Sequence, residues 1–86
     1  MYRVVLTNRA VKGLDAAPPH IQRRVPEVLD ALRETFAPVK LFDVKKLKGE
    51  DDTFRIRLGG WRVIYELRRK ESTIVVLDIT SRGSAY

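Results

Sequence analysis

The stretch "FRIRLGGWRVIYEL", Phe54 to Leu67, decides the fold. Apolar and charged residues alternate on both sides of Gly59-Gly60, which is the period of a half-buried strand. A glycine pair can adopt the positive φ that a tight hairpin turn requires. Closing the chain there puts Leu58 opposite Trp61, Arg57 opposite Arg62, Ile56 opposite Val63, Arg55 opposite Ile64 and Phe54 opposite Tyr65. One face becomes apolar and aromatic, and the other stacks three arginines. Like charges directly opposite each other destabilise a sheet, so Arg57 against Arg62 asks for a reason outside the sheet.

The apolar face needs a cover, and the upstream sequence supplies one. Ile21, Val25, Val28, Leu29, Leu32 and Phe36 recur at helical spacing, predicting a helix over 19–36 with Arg23, Arg24, Glu27, Asp30 and Glu34 on its far side. Pro26 either bends that helix or separates "PPHIQRR" as a first turn from a helix starting near Val25. Before it, "YRVVLT" reads as a short strand and Thr7 or Asn8 as the cap of a helix ending near Ala16, ahead of Pro18 and Pro19. "APVKLFDVKKLKGEDD" reads as a lysine-rich connection. Strands are expected over 53–58, 61–68 and 73–79, the last apolar on both faces and therefore central or covered by a partner. The order strand, helix, helix, strand, strand, strand implies an α+β fold: a mainly antiparallel sheet with two helices packed on one face.

The 86 residues make one domain, 1–86, with no repeat and no dividing linker. Without cysteine there is neither a disulfide nor a thiolate metal site, and His20, the single histidine, has no second ligand beside it, so no cofactor is expected. No apolar run approaches a membrane span, and "MYRVVLT" is too short for a signal-peptide core, which points to the cytoplasm. The net charge of +6 favours an anionic partner, nucleic acid before acidic protein or membrane. Because the helices cover the apolar face, Arg55, Arg57 and Arg62 are left on a rigid cationic surface, with Arg82 just beyond the adjacent strand. Guanidinium groups are permanently charged and matched to bidentate phosphate contacts. Lys46 and Lys48 in "KKLKG" are further phosphate candidates, whereas Trp61 and Tyr65 share the core face.

Together, "KKLKG", "TFRIRLGGWRVIYEL" and "IVVLDITSRGSAY" resemble the RelE/ParE toxin superfamily across essentially the whole chain. The resemblance implies the toxin of a type II toxin–antitoxin pair, with a RelB-like antitoxin as partner and oligomers formed only through that antitoxin. RelE-like members cut mRNA in the ribosomal A site without metal, by attack of a ribose 2′-OH on the adjacent phosphate. ParE-like members share the fold and inhibit gyrase, and a basic RNA-binding module without turnover is a third class. Carried over by residue, Arg62 would stabilise the phosphate, Arg82 would contact it from the tail, and Tyr86 would act in proton transfer and stacking. Arg55 and Arg57 stand where some RelE-like enzymes carry lysines. An arginine can grip RNA but cannot act as a base near neutral pH, which leaves that role to Tyr86, to Lys46 or Lys48, or to the ribosome.

Overall fold

The computed structural model describes residues 1–47, 49 and 52–81. Lys48, Arg82 and Tyr86 lie outside the described residues. The elements are β1 (Arg3–Leu6), α1 (Asn8–Ala16), α2 (Pro19–Gln22), α3 (Val25–Glu34), β2 (Asp43–Lys46), β3 (Thr53–Leu58), β4 (Trp61–Arg68) and β5 (Thr73–Thr80). They form an α+β fold around a five-stranded sheet of order β1-β5-β4-β3-β2, antiparallel except where β1 runs parallel to β5.

Each helix starts and stops for a local reason. The Thr7 hydroxyl accepts from the Ala10 N–H at 3.1 Å, capping α1, and donates to the Leu77 carbonyl at 2.9 Å, tying the cap to β5. The alternatives left by Pro26 resolve in favour of a separate first turn: α2 ends at Gln22, and Pro26 stands in the first turn of α3, where its missing N–H leaves no bond unmade. The expected helix to Phe36 stops at Glu34, because Thr35 is already extended at φ −151°. Phe36 leaves the helix but not the core. Its ring lies 5.7 Å from that of Phe54, and its carbonyl accepts from the Tyr65 hydroxyl at 2.7 Å.

The hairpin pairs as its residues predicted, with Leu58 against Trp61, Arg57 against Arg62, Ile56 against Val63, Arg55 against Ile64 and Phe54 against Tyr65. Phe54, Ile56, Leu58, Val63, Tyr65 and Leu67 pack against Ile21, Val25, Val28 and Leu32 in one core cluster. The strand β5 is interior, between β1 and β4, the first of the two alternatives left by its apolar character on both faces. Its simple alternation fails at one point: Ile64 pairs with Asp78 but Tyr65 pairs with Val76, so Leu77 is the extra residue of a bulge. Ile74, Val76 and Ile79 therefore face the core while Asp78 and Thr80 turn to the arginine face.

The expected lysine-rich connection contains a strand. β2 pairs with β3 and ends the sheet, and its "DVKK" has one apolar residue, Val44, against the core. Short, lysine-bearing strands suit a sheet edge because their charge discourages further pairing.

Tyr65 is fully buried, and burial pushes its phenol well above the usual tyrosine range, so it remains a donor. Tyr65→Phe leaves the Phe36 carbonyl without that partner and is expected to lower stability by about 1–2 kcal/mol in urea unfolding.

A bidentate pair ties the residue before β3 to the residue after β4. Arg69 donates from Nε and Nη2 to the two Asp52 carboxylate oxygens, both at 3.0 Å, and its guanidinium lies 5.4 Å from the Phe36 ring centroid. Asp52 adopts a positive φ of 56°, a conformation asparagine also tolerates. The hydrogen bond and charge of Arg69 hold the Asp52 carboxyl below its ordinary value. A carboxylate depressed in the folded state stabilises fully above its unfolded pKa of about 3.9 and loses that contribution as pH falls through the folded value. The difference in urea midpoint between the native chain and Asp52→Asn should therefore be largest above pH of about 5 and shrink toward pH of about 3.

Candidate functional site

The register of β2 to β5 assembles one charged face opposite the helices. Asp43 and Lys45 come from β2, Arg55 and Arg57 from β3, Arg62, Ile64 and Glu66 from β4, and Asp78 and Thr80 from β5. A transverse row runs Asp43, Arg57, Arg62, Thr80; the next runs Lys45, Arg55, Ile64, Asp78. This face was expected to be uncovered, and only part of it is. Ile64 and Asp78 are buried, and the Arg55 side chain is 14 % exposed, while Arg57 and Lys45 are open to solvent and Arg62 is half-buried. Ile64 in the middle of the face is apolar, and long arginine stems lie readily along such a residue.

The three carboxylates brought to the edges of this face are each engaged by a different arginine. Asp43 meets Arg55 at 3.3 Å, Glu66 meets Arg68 at 2.9 Å, and Asp78 meets Arg9 of α1 at 3.2 Å. Arg57 and Arg62 face each other without an ion pair among the described residues. Two guanidinium groups side by side on a rigid sheet form a ready seat for a multiply charged anion. The β5 bulge contributes to this arrangement, since without it Asp78 and Thr80 would turn toward the core and Arg62 would lose its present neighbour.

The predicted residues divide. Arg55, Arg57 and Arg62 share the face. Lys46 does not: it is paired with Phe54 and so lies on the core-side face of β2, at the sheet edge. Lys45, one residue earlier, is the lysine that joins the arginines, and a sequence read without β2 had no register to show it. Arg82 is the second residue beyond Thr80 in the chain, and Thr80 is the register partner of Arg62. Trp61 and Tyr65 pack with the core, and His20 is exposed at the start of α2. Among the described residues no helix is long and apolar enough to cross a membrane.

Helices on one sheet face and two facing arginines on the other, without an ion pair among the described residues, define a small α+β domain that presents positive charge. The family model described as the ParE toxin of the type II toxin–antitoxin system parDE matches residues 4–86. RelE1 of Methanocaldococcus jannaschii is 32 % identical over 85 residues, covering 99 % of this chain and 94 % of that protein. The archaeal RelE–RelB complex of Pyrococcus horikoshii OT3 contains a chain that is 39 % identical, with a TM-score of 0.82 over 95 % of this chain and 96 % of that one. The intact RelBE toxin–antitoxin complex of E. coli shares the fold, with a TM-score of 0.78 at 20 % identity over 93 % of this chain and 95 % of that one. The chain belongs to the RelE/ParE superfamily of type II toxins and is RelE-like.

Proposed function

We propose that the protein is a ribosome-dependent mRNA endonuclease, inhibiting translation by promoting attack of a ribose 2′-OH on the adjacent phosphate, which breaks the P–O5′ bond, releases the 5′-hydroxyl of the next nucleotide and leaves a 2′,3′-cyclic phosphate. The facing Arg57–Arg62 couple, without an ion pair among the described residues, carries this proposal. Charge builds on the phosphate's non-bridging oxygens as the 2′-oxygen attacks, and two guanidinium groups carried on adjacent strands stabilise that charge more than they stabilise the ground state. Arg55 extends the grip along β3 and Lys45 across to β2, Arg82 contacts the phosphate from the tail, and Tyr86 acts in proton transfer and stacks on a base. Lys48 is a candidate for a flanking phosphate, whereas Lys46, on the opposite face of β2, is not assigned to the phosphate bound by the arginines. Arginine remains protonated throughout, so Arg57 and Arg62 bind and stabilise but take no proton.

A RelB-like antitoxin is the proposed partner, by analogy with the RelE–RelB complexes among the similar structures. It would offer acidic side chains to the cationic face and fold as it wraps the toxin. Oligomers would form only through that antitoxin. A ribosomal target places the protein in the cytoplasm.

The experiment is primer extension on mRNA in a reconstituted translation system, with and without ribosomes. Cleavage that requires ribosomes supports the proposal. The match to the ParE model favours a second reading, inhibition of DNA gyrase without turnover. It predicts loss of supercoiling in a gyrase assay and intact message on ribosomes, and that pair of results would replace the first reading.

A further inference from the structure

The two carboxylate–arginine pairs near the β2–β3 connection are made differently. Arg69 fills both prongs of its fork, Nε and Nη2, with the two Asp52 oxygens at 3.0 Å. Arg55 offers the same fork, but Asp43 takes only one prong, Nη2, at the longer distance of 3.3 Å. The Arg55 Nε is buried and has no hydrogen-bond partner among the described residues. An unpartnered buried guanidinium N–H is unfavourable, and it belongs to the fork that matches two oxygens of a phosphate. Asp43 stands opposite Arg57 on an edge strand with its side chain 58 % exposed, so it can swing aside without disturbing the core.

From this half-filled fork, we propose that Asp43 is a displaceable counter-ion. It holds Arg55 on the face in the free protein and yields it to a phosphodiester of bound RNA, which fills both prongs. Asp43 is then a specificity-determining residue. It weakens binding of any ligand that cannot engage Arg55 with two oxygens, and it lowers repulsion on the arginine face when no RNA is present. The proposal rests on the RNA-cleaving function and deepens it, but it concerns binding alone.

The test titrates the full chain with a short 2′-O-methyl RNA oligonucleotide, which cannot be cut by 2′-OH attack. The Arg55 Nε–H resonance is followed by NMR and affinity by fluorescence anisotropy. Asp43→Asn is expected to bind about three- to fivefold more tightly than the native chain at low salt, the range of an exposed ion pair removed from competition. Asp43→Ser should show the same gain, and the Arg55 Nε–H resonance should shift on saturation in all three chains. Equal affinities, an Arg55 resonance that stays in place while the oligonucleotide saturates, or no binding by any of the chains would overturn it. Intact mRNA on ribosomes, with the Arg55 shift and the affinity gain both present, would sink the endonuclease and leave the counter-ion role standing.

Discussion

Arg62→Ala is expected to lower ribosome-dependent cleavage by about 10²–10³-fold, the usual effect of removing one preorganised donor from a developing oxyanion. Arg62 lies mid-sheet with Arg57 and Thr80 as its register partners, so the backbone that carries its guanidinium is in place before substrate arrives. Arg62→Lys keeps the charge and loses the planar fork, and should fall between the native chain and the alanine variant. The partner substitution separates function from stability. Arg57 is exposed, and its removal relieves a like-charge contact, so Arg57→Ala should raise the thermal midpoint of the free protein slightly while slowing cleavage. Primer extension on ribosome-bound message gives the rates, and a melt of each variant checks its fold. Native rates for both alanine variants would remove these arginines from the site.

Gly13→Ala should lower stability by about 3 kcal/mol or more, the upper range for forced overpacking. Gly13 lies within α1, where helix propensity alone would favour alanine by about 1 kcal/mol. The tertiary contact reverses that sign. A Cβ on Gly13 would lie 1.9 Å from the Ile79 carbonyl oxygen and 2.9 Å from its carbon, both backbone atoms of an interior strand. No rotamer change relieves a clash with backbone, so α1 would have to lift from β5 and uncover Ala10, which is fully buried. Urea unfolding reads the loss directly. A variant as stable as the native chain would mean that α1 and β5 approach less closely than 1.9 Å implies.

Arg57→Ala and Gly13→Ala test different kinds of legibility. The hairpin, its register and its two faces were readable because strand alternation has a period of two and the Gly59-Gly60 turn fixes where the chain reverses. The core stripe from Ile21 to Leu32 was readable for the same reason at helical period. β2 was hidden because "DVKK" has a single apolar residue and owes its strand conformation to pairing with β3. Without β2 there was no basis for preferring Lys45 to Lys46, or for seeing Asp43 against Arg55. The β5 bulge was hidden too, because every residue of "TIVVLDIT" is compatible with unbroken alternation and only pairing with β4 shifts it.

The sequence by itself determined the α+β class from the order of its periodic segments, and the cationic hairpin and the opposition of Arg57 to Arg62 from strand alternation and turn chemistry within Phe54 to Leu67. Which arginines are neutralised and which stay unpaired was settled by long-range contacts: Asp78 reaching Arg9 from a bulged strand, Asp43 reaching Arg55 from an edge strand, and Gly13 letting α1 lie against Ile79. Charge in a sequence is a count, and its availability depends on the neighbours that folding brings within a few ångströms.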